Sequence, residues 1–158
     1  MAEALLILLF PGLLVHSNET RHTILIVDHD VTNLRLARRV LETAGFEVCD
    51  ARDAVSTFEV LKGCRPAMIV LDVQLPGMDG WELARRLKTN FATRMIPIIV
   101  MTAFGRESDR DYALSVGCAE FVEKPISSVE LPAIVRRHLD ISRLAQPPRE
   151  AGGEFERP

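Results

Sequence analysis

Four residues of this chain have the side-chain chemistry to handle a phosphoryl group, and each closes or follows a short apolar run. Asp28 ends the run that begins at Thr23, Asp72 the run from Ala67, Thr102 the run from Ile96, and Lys124 follows the run from Ala119 to Glu123. Short apolar runs bounded by turn residues read as buried strands. Strands of one parallel sheet end on one edge, so the four side chains can converge there. The chemistry would be an in-line attack by the Asp72 carboxylate on an incoming phosphoryl group. Nucleophile and phosphoryl oxygens are both anionic, so cations are required. Mg²⁺ held by carboxylates would supply one and Lys124 another, while Thr102 would donate a hydroxyl hydrogen bond. Taken singly, a strand-end Asp, a Thr or a surface Lys is ordinary. The signal is the set in order, together with Lys124-Pro125 and the loop Leu75 to Gly80.

The elements that position these residues alternate. The first strand, Thr23 to Asp28, leads to a helix capped by Asp30 or Thr32. Val31, Leu34, Ala37, Leu41 and Ala44 recur along that helix at helical spacing, and Gly45 stops it. A weaker strand, Phe46 to Ala51, nearer an edge, precedes a helix from Asp53 to about Lys62, ended by Gly63. After the strand ending at Asp72, Pro76, Gly77 and Gly80 form a loop, and a helix from about Asp79 carries Trp81, Leu83, Ala84 and Leu87. The fourth strand runs from Ile96 to Thr102, with Pro97 tolerated at its start. A polar helix, Arg106 to Val116, stops at Gly117, and the fifth strand covers Ala119 to Glu123. Ser127 and Glu130 make a capping box for a last helix to about Leu144, whose start Pro132 should make irregular. Five strand–helix repeats imply an α/β fold: a flavodoxin-like, doubly wound (βα)5 domain with a five-stranded parallel sheet in the order 2-1-3-4-5.

A chain of 158 residues, 47% apolar, has room for one ordinary domain. Its net charge of −3 gives no reason to expect nucleic acid as a partner. The three cysteines, Cys49, Cys64 and Cys118, lack zinc-ligand spacing and read as buried thiols in a reducing cytoplasm. Leu5 to Val15 is apolar but too short to span a membrane, and Glu3 stands where a signal peptide would be basic. The domain reading is an extension over residues 1–21, a folded unit over 22–144 and a disordered tail over 145–158, with no membrane association, no second domain and a cytoplasmic location.

The string LDVQLPGMDG around Asp72 resembles the phosphoacceptor segment of bacterial two-component response-regulator receiver domains, and the likeness extends from about Thr23 to Leu144. The segment TAF…GCAEFVEKPIS is especially similar to small stand-alone receivers of the cell-cycle and polarity type. The resemblance implies that Asp72 accepts a phosphoryl group from a sensor histidine kinase or phosphotransfer protein. It implies that Thr102 is the switch hydroxyl, Lys124 the motif lysine before a cis peptide to Pro125, and Phe121 the aromatic rotamer switch. It implies a Mg²⁺ site of Asp28, Asp72 and the Gln74 backbone carbonyl. Output would be a population shift that remodels the face of the fourth helix, fifth strand and fifth helix toward a downstream effector protein.

One position departs from the family pattern. Two adjacent acids usually follow the first strand, and here the pair is Asp28-His29. Mg²⁺ prefers oxygen, whereas imidazole suits zinc, copper or iron. Asp30 reaching the metal, Asp28 and Asp72 sufficing with water, or a phosphorylation-independent binding module would each accommodate His29. Phe104, two residues after Thr102, stands where a bulky group could hinder an attacking water. A rival enzyme reading takes Asp28 to Thr32 as the DxDxT opening of a haloacid-dehalogenase-type phosphatase, with Asp28 as nucleophile and Asp30 as acid/base. That reading lacks the further acidic pair after Lys124 and leaves LDVQLPGMDG without a role.

Overall fold

The computed structural model describes residues 21–145; the expectations for the extension before Arg21 and the tail after Ala145 lie outside the described residues. Five strands, β1 (Thr23–Val27), β2 (Glu47–Ala51), β3 (Met68–Asp72), β4 (Ile98–Thr102) and β5 (Glu120–Glu123), alternate with five helices. The helices are α1 (Val31–Thr43), α2 (Ala54–Gly63), α3 (Gly80–Thr89), α4 (Glu107–Ser115) and α5 (Glu130–Leu144). The sheet is wholly parallel in the order β2-β1-β3-β4-β5, the flavodoxin-like arrangement expected from the alternation.

The near-continuous apolar runs follow from helices lying on both faces. Successive side chains of a strand point to opposite faces. Leu25, Val27, Ile69, Leu71, Ile98 and Val100 therefore pack with Ala54, Leu83, Ala84, Leu87 and Ala113 from α2, α3 and α4. Ile24, Ile26, Met68, Val70, Ile99 and Met101 pack on the other face with Leu34 and Leu41 of α1 and with Leu131, Val135 and Leu139 of α5. Each fully buried Val, Leu, Ile or Met among them contributes roughly 1.5–3 kcal/mol. β2 is the half-exposed edge strand that its weaker pattern suggested.

Local signals act as written in the chain, with small shifts. Asp30 caps α1, accepting from the Thr32 and Asn33 amides, and Gly45 leaves the helix at φ 96°. Asp53 and Ser56 form a capping box on α2. Gly63 is the last residue of α2 rather than its stop, and the extended Cys64 ends the helix. Strand β4 begins at Ile98 rather than Ile96, because Pro97 has no amide; its carbonyl accepts from Ile69 N at 3.0 Å. Ser127 and Glu130 exchange the two capping-box bonds, at 3.0 and 3.1 Å, and a turn at Ser128 and Val129 precedes α5, the irregular start expected near Pro132.

The cysteine expectation needs correcting. Cys49 on β2 and Cys64 at the end of α2 are half-buried and face each other, with their Cα atoms 7.4 Å apart. The strand and the returning end of the helix lie side by side, a proximity that a spacing of 15 residues does not reveal. Cys118 is the buried thiol, and burial pushes its pKa up to about 11.

Candidate functional site

Three of the four strand-end residues meet at the carboxyl edge of the sheet. Asp28 follows β1, Asp72 ends β3, and both are only 1% exposed. Lys124, just past β5, donates from Nζ to Asp28 Oδ2 at 2.7 Å and to Asp72 Oδ2 at 2.9 Å. Burial pushes the Lys124 ammonium toward neutrality, but the two carboxylate hydrogen bonds outweigh it and hold the pKa above its ordinary value. Lys124 therefore stays charged between the two acids. Its peptide bond to Pro125 is cis.

Each carboxylate is aimed by its own loop. The Asp30 amide donates to Asp28 Oδ1 at 2.8 Å, and the Gln74 amide donates to Asp72 Oδ1 at 2.9 Å. Asn33, one turn into α1, adds a donor from Nδ2 to Asp28 Oδ2 at 3.2 Å. The spacing of Asn33 from Asp28 gave no prior signal of this contact, since a polar residue in a first helical turn is ordinary. Backbone packing fixes the loop after Asp72. A Cβ on Gly80 would lie 2.4 Å from Val73 Cα and 2.7 Å from Asp72 O, so only glycine allows α3 to start so close to the acceptor strand. An open cavity of about 440 Å³ between α1 and α5 borders the site, with Leu36, Met101 and Leu131 along it and Asp28 and Lys124 at one end.

The other expected residues are placed differently. Thr102 is buried at the end of β4, and its hydroxyl accepts from the Phe104 amide at 3.1 Å. Among the described residues its hydrogen bonds are with the Phe104 backbone, not with Asp72. Phe121 points inward, 7% exposed, with its ring stacked on Trp81 at 6.5 Å between centroids and 3° between planes. Tyr112 meets Trp81 edge-on at 5.2 Å, and the Arg110 guanidinium lies 5.9 Å from the Phe121 ring. This aromatic cluster links α3, α4 and β5; the sequence offered Phe121 without its partner.

His29 sits over the two acids. Its Nδ1 is 3.8 Å from Asp28 Oδ1 and 3.8 Å from Asp72 Oδ2, and its side chain is half exposed. Asp28, His29 and Asp72 form a group whose ligand atoms all lie within 4.8 Å of one another. Two converging carboxylates suit a hard divalent cation such as Mg²⁺, while the imidazole beside them does not. Asp30 is not part of that group; its Oδ1 accepts from Thr32 N at 2.6 Å and Asn33 N at 3.2 Å as the cap of α1.

Comparison with known proteins bears on this arrangement. The response regulator receiver domain profile matches residues 24–136. The chain is similar to the phosphate regulon transcriptional regulatory protein PhoB of Pseudomonas aeruginosa, 41% identical over 111 residues. That match covers 70% of this chain and 48% of the relative, so the chain spans about half that protein's length. It is 30% identical over 117 residues to the polar-differentiation response regulator DivK of Brucella anthropi, covering 74% of this chain and 95% of DivK. Among solved structures, a putative response regulator from Chloroflexus aurantiacus superposes with a TM-score of 0.70 at 33% identity, over 76% of this chain and 98% of that one.

Proposed function

The chain belongs to the response regulator receiver family, and on that premise we propose that Asp72 is its phosphoacceptor. Receiver domains are signalling domains of phosphorelays. The observation that carries the proposal is the shared lysine. One half-buried cation bonded to two buried carboxylates at the carboxyl edge of the sheet is an arrangement that can receive an anion.

The phosphodonor would be a phosphohistidine of a sensor kinase or phosphotransfer protein. Asp72 Oδ2 attacks phosphorus, a P–O bond forms, and the P–N bond to the donor imidazole breaks in line, leaving the histidine to take a proton. Asp28 and Asp72 would hold the divalent cation, which supplies charge neutralisation for the phosphoryl oxygens. Lys124, already charged, would pass one of its hydrogen bonds from Asp72 to a phosphoryl oxygen. The Thr102 hydroxyl would leave the Phe104 backbone for another. That exchange would free the loop after β4 and the Phe121–Trp81 stack beneath it, which is how the face of α4, β5 and α5 would report phosphorylation to an effector protein. The work is stoichiometric signalling rather than turnover, and the cytoplasm, where phosphohistidine donors are charged, is its proposed location. None of the described helices is long and apolar enough to cross a membrane.

The test is incubation of the full chain with acetyl phosphate and a divalent cation, followed by intact mass. A single phosphoryl adduct, absent from Asp72→Ala, is expected. An adduct that persists in Asp72→Ala would overturn the assignment, and none under any cation would leave the phosphorylation-independent binding module, whose partner affinity Asp72→Ala would not change. Turnover of a phosphate monoester would instead revive the phosphatase.

A further inference from the structure

We propose that His29 makes the cation site of this receiver a mixed nitrogen–oxygen centre that selects a first-row divalent transition ion over Mg²⁺. The proposal deepens the phosphoacceptor reading, since it concerns the same two carboxylates. Four observations carry it. First, His29 Nδ1 is equidistant, at 3.8 Å, from an oxygen of each buried acid. Two ligands of one ion can be separated by at most the sum of their bonds, about 4.1 Å for a nitrogen and an oxygen on a first-row ion. The imidazole is thus within sharing distance of both carboxylates, not turned away into solvent.

Second, no oxygen ligand from the same loop stands in for it. Asp30 caps α1 through Oδ1, and it is not part of the converging Asp28–His29–Asp72 group. Third, Asp30 N, Asn33 Nδ2 and Gln74 N hold the two carboxylates where the imidazole lies beside both. Fourth, the His29 side chain is half exposed, so an ion has a path from solvent to the ligand atoms. Mg²⁺ demands near-octahedral oxygen coordination and gains little from imidazole. First-row divalent ions such as manganese, iron, cobalt and zinc accept a carboxylate–imidazole set, with affinity rising from manganese through iron to cobalt. Replacing one acid by a neutral ring also removes one negative charge, which lowers affinity most for the ion held by charge alone.

The test needs no phosphodonor. Mn²⁺ is titrated into the full chain and read by electron paramagnetic resonance, with Mg²⁺ as competitor, for the native chain, His29→Asp and Asp28→Asn. In the native chain the bound Mn²⁺ should show modulation from a directly coordinated nitrogen. That modulation should vanish in His29→Asp, Mn²⁺ binding should fall at least tenfold in Asp28→Asn, and the Mn²⁺:Mg²⁺ affinity ratio should drop at least tenfold in His29→Asp. Bound Mn²⁺ with no nitrogen modulation, modulation that survives in His29→Asp, or an unchanged affinity ratio would each overturn the proposal. Failure here is separable from failure of the phosphoacceptor reading: an adduct on Asp72 with an oxygen-only Mn²⁺ spectrum sinks the metal preference alone, whereas a nitrogen-bound ion without any adduct sinks the phosphoacceptor alone.

Discussion

Replacing Gly80 by alanine should damage stability and phosphorylation together. The added methyl would meet Val73 Cα at 2.4 Å and the carbonyl oxygens of Asp72 and Val73 at 2.7 Å each. Carbon atoms rest at roughly 3.5–4.0 Å, so about 1 Å or more of movement is needed. The obstacle is strand-end backbone rather than a flexible side chain, and the Gly80 amide is itself bonded to Val73 O at 3.0 Å. Overpacking of this kind costs about 1–3 kcal/mol, offset by at most ~1 kcal/mol of alanine's helix preference. The net loss lies within about 0–3 kcal/mol, and its middle, about 1–2 kcal/mol, lowers the melting temperature by roughly 3–10 °C for a domain of this size. The same displacement moves Asp72, and a shift of ~1 Å at a reacting group can cost on the order of 100-fold in rate. Gly63→Ala is the control: nothing lies within 4 Å of its Cβ and its φ is not positive, so it should stabilise by about 0.4–1 kcal/mol and leave the rate alone. Thermal melts and acetyl phosphate kinetics on both variants read the two effects. Gly80→Ala with native melting temperature and native rate would refute the close approach of α3 to the acceptor strand.

Lys124→Met leaves two buried carboxylates without their shared cation and should cost about 3 kcal/mol, the low end for a broken buried pair because the lysine side chain is 20% exposed. A divalent cation should restore more melting temperature to this variant than to the native chain. Because the Lys124 pKa is raised on folding, its contribution is complete below the unfolded value of about 10.4 and is lost as pH rises through the higher folded value. Melts of the native chain and Lys124→Met should therefore converge only in strong alkali, and convergence near neutral pH would contradict the assignment. A double-mutant cycle of Trp81→Leu with Phe121→Leu should return a coupling of about 1 kcal/mol from the stacked rings, measured by urea unfolding, with additivity excluding the contact.

Most of the fold was legible because its signals are local. Apolar runs closing on Asp28 and Asp72, the Asp30 and Asp53 caps, Gly45 and the Ser127–Glu130 box each act within a few residues. The convergence of Asp28, Asp72 and Lys124 was readable for a different reason: a parallel sheet gathers strand ends on one edge whatever the side chains do. What stayed hidden depends on packing between elements. Asn33 donating to Asp28, Trp81 stacking on Phe121, and Cys49 meeting Cys64 all involve pairs whose spacing carries no period. The hydrogen bonding of Thr102 was hidden too, since a strand-end hydroxyl has several partners within reach and only the loop conformation chooses among them.

Lys124 is separated along the chain by 96 residues from Asp28 and by 52 from Asp72. Contacts of such long range reward the chain only after the loops between them have closed. A ribosome that has delivered the first three strands has delivered both acids without their counter-ion, and two uncompensated anions oppose the close approach that the finished edge requires. The pocket consequently cannot be complete before β5 docks on β4. On the proposed reading, a chain ending before this lysine would hold the acceptor carboxylate without the cation that bridges it to Asp28.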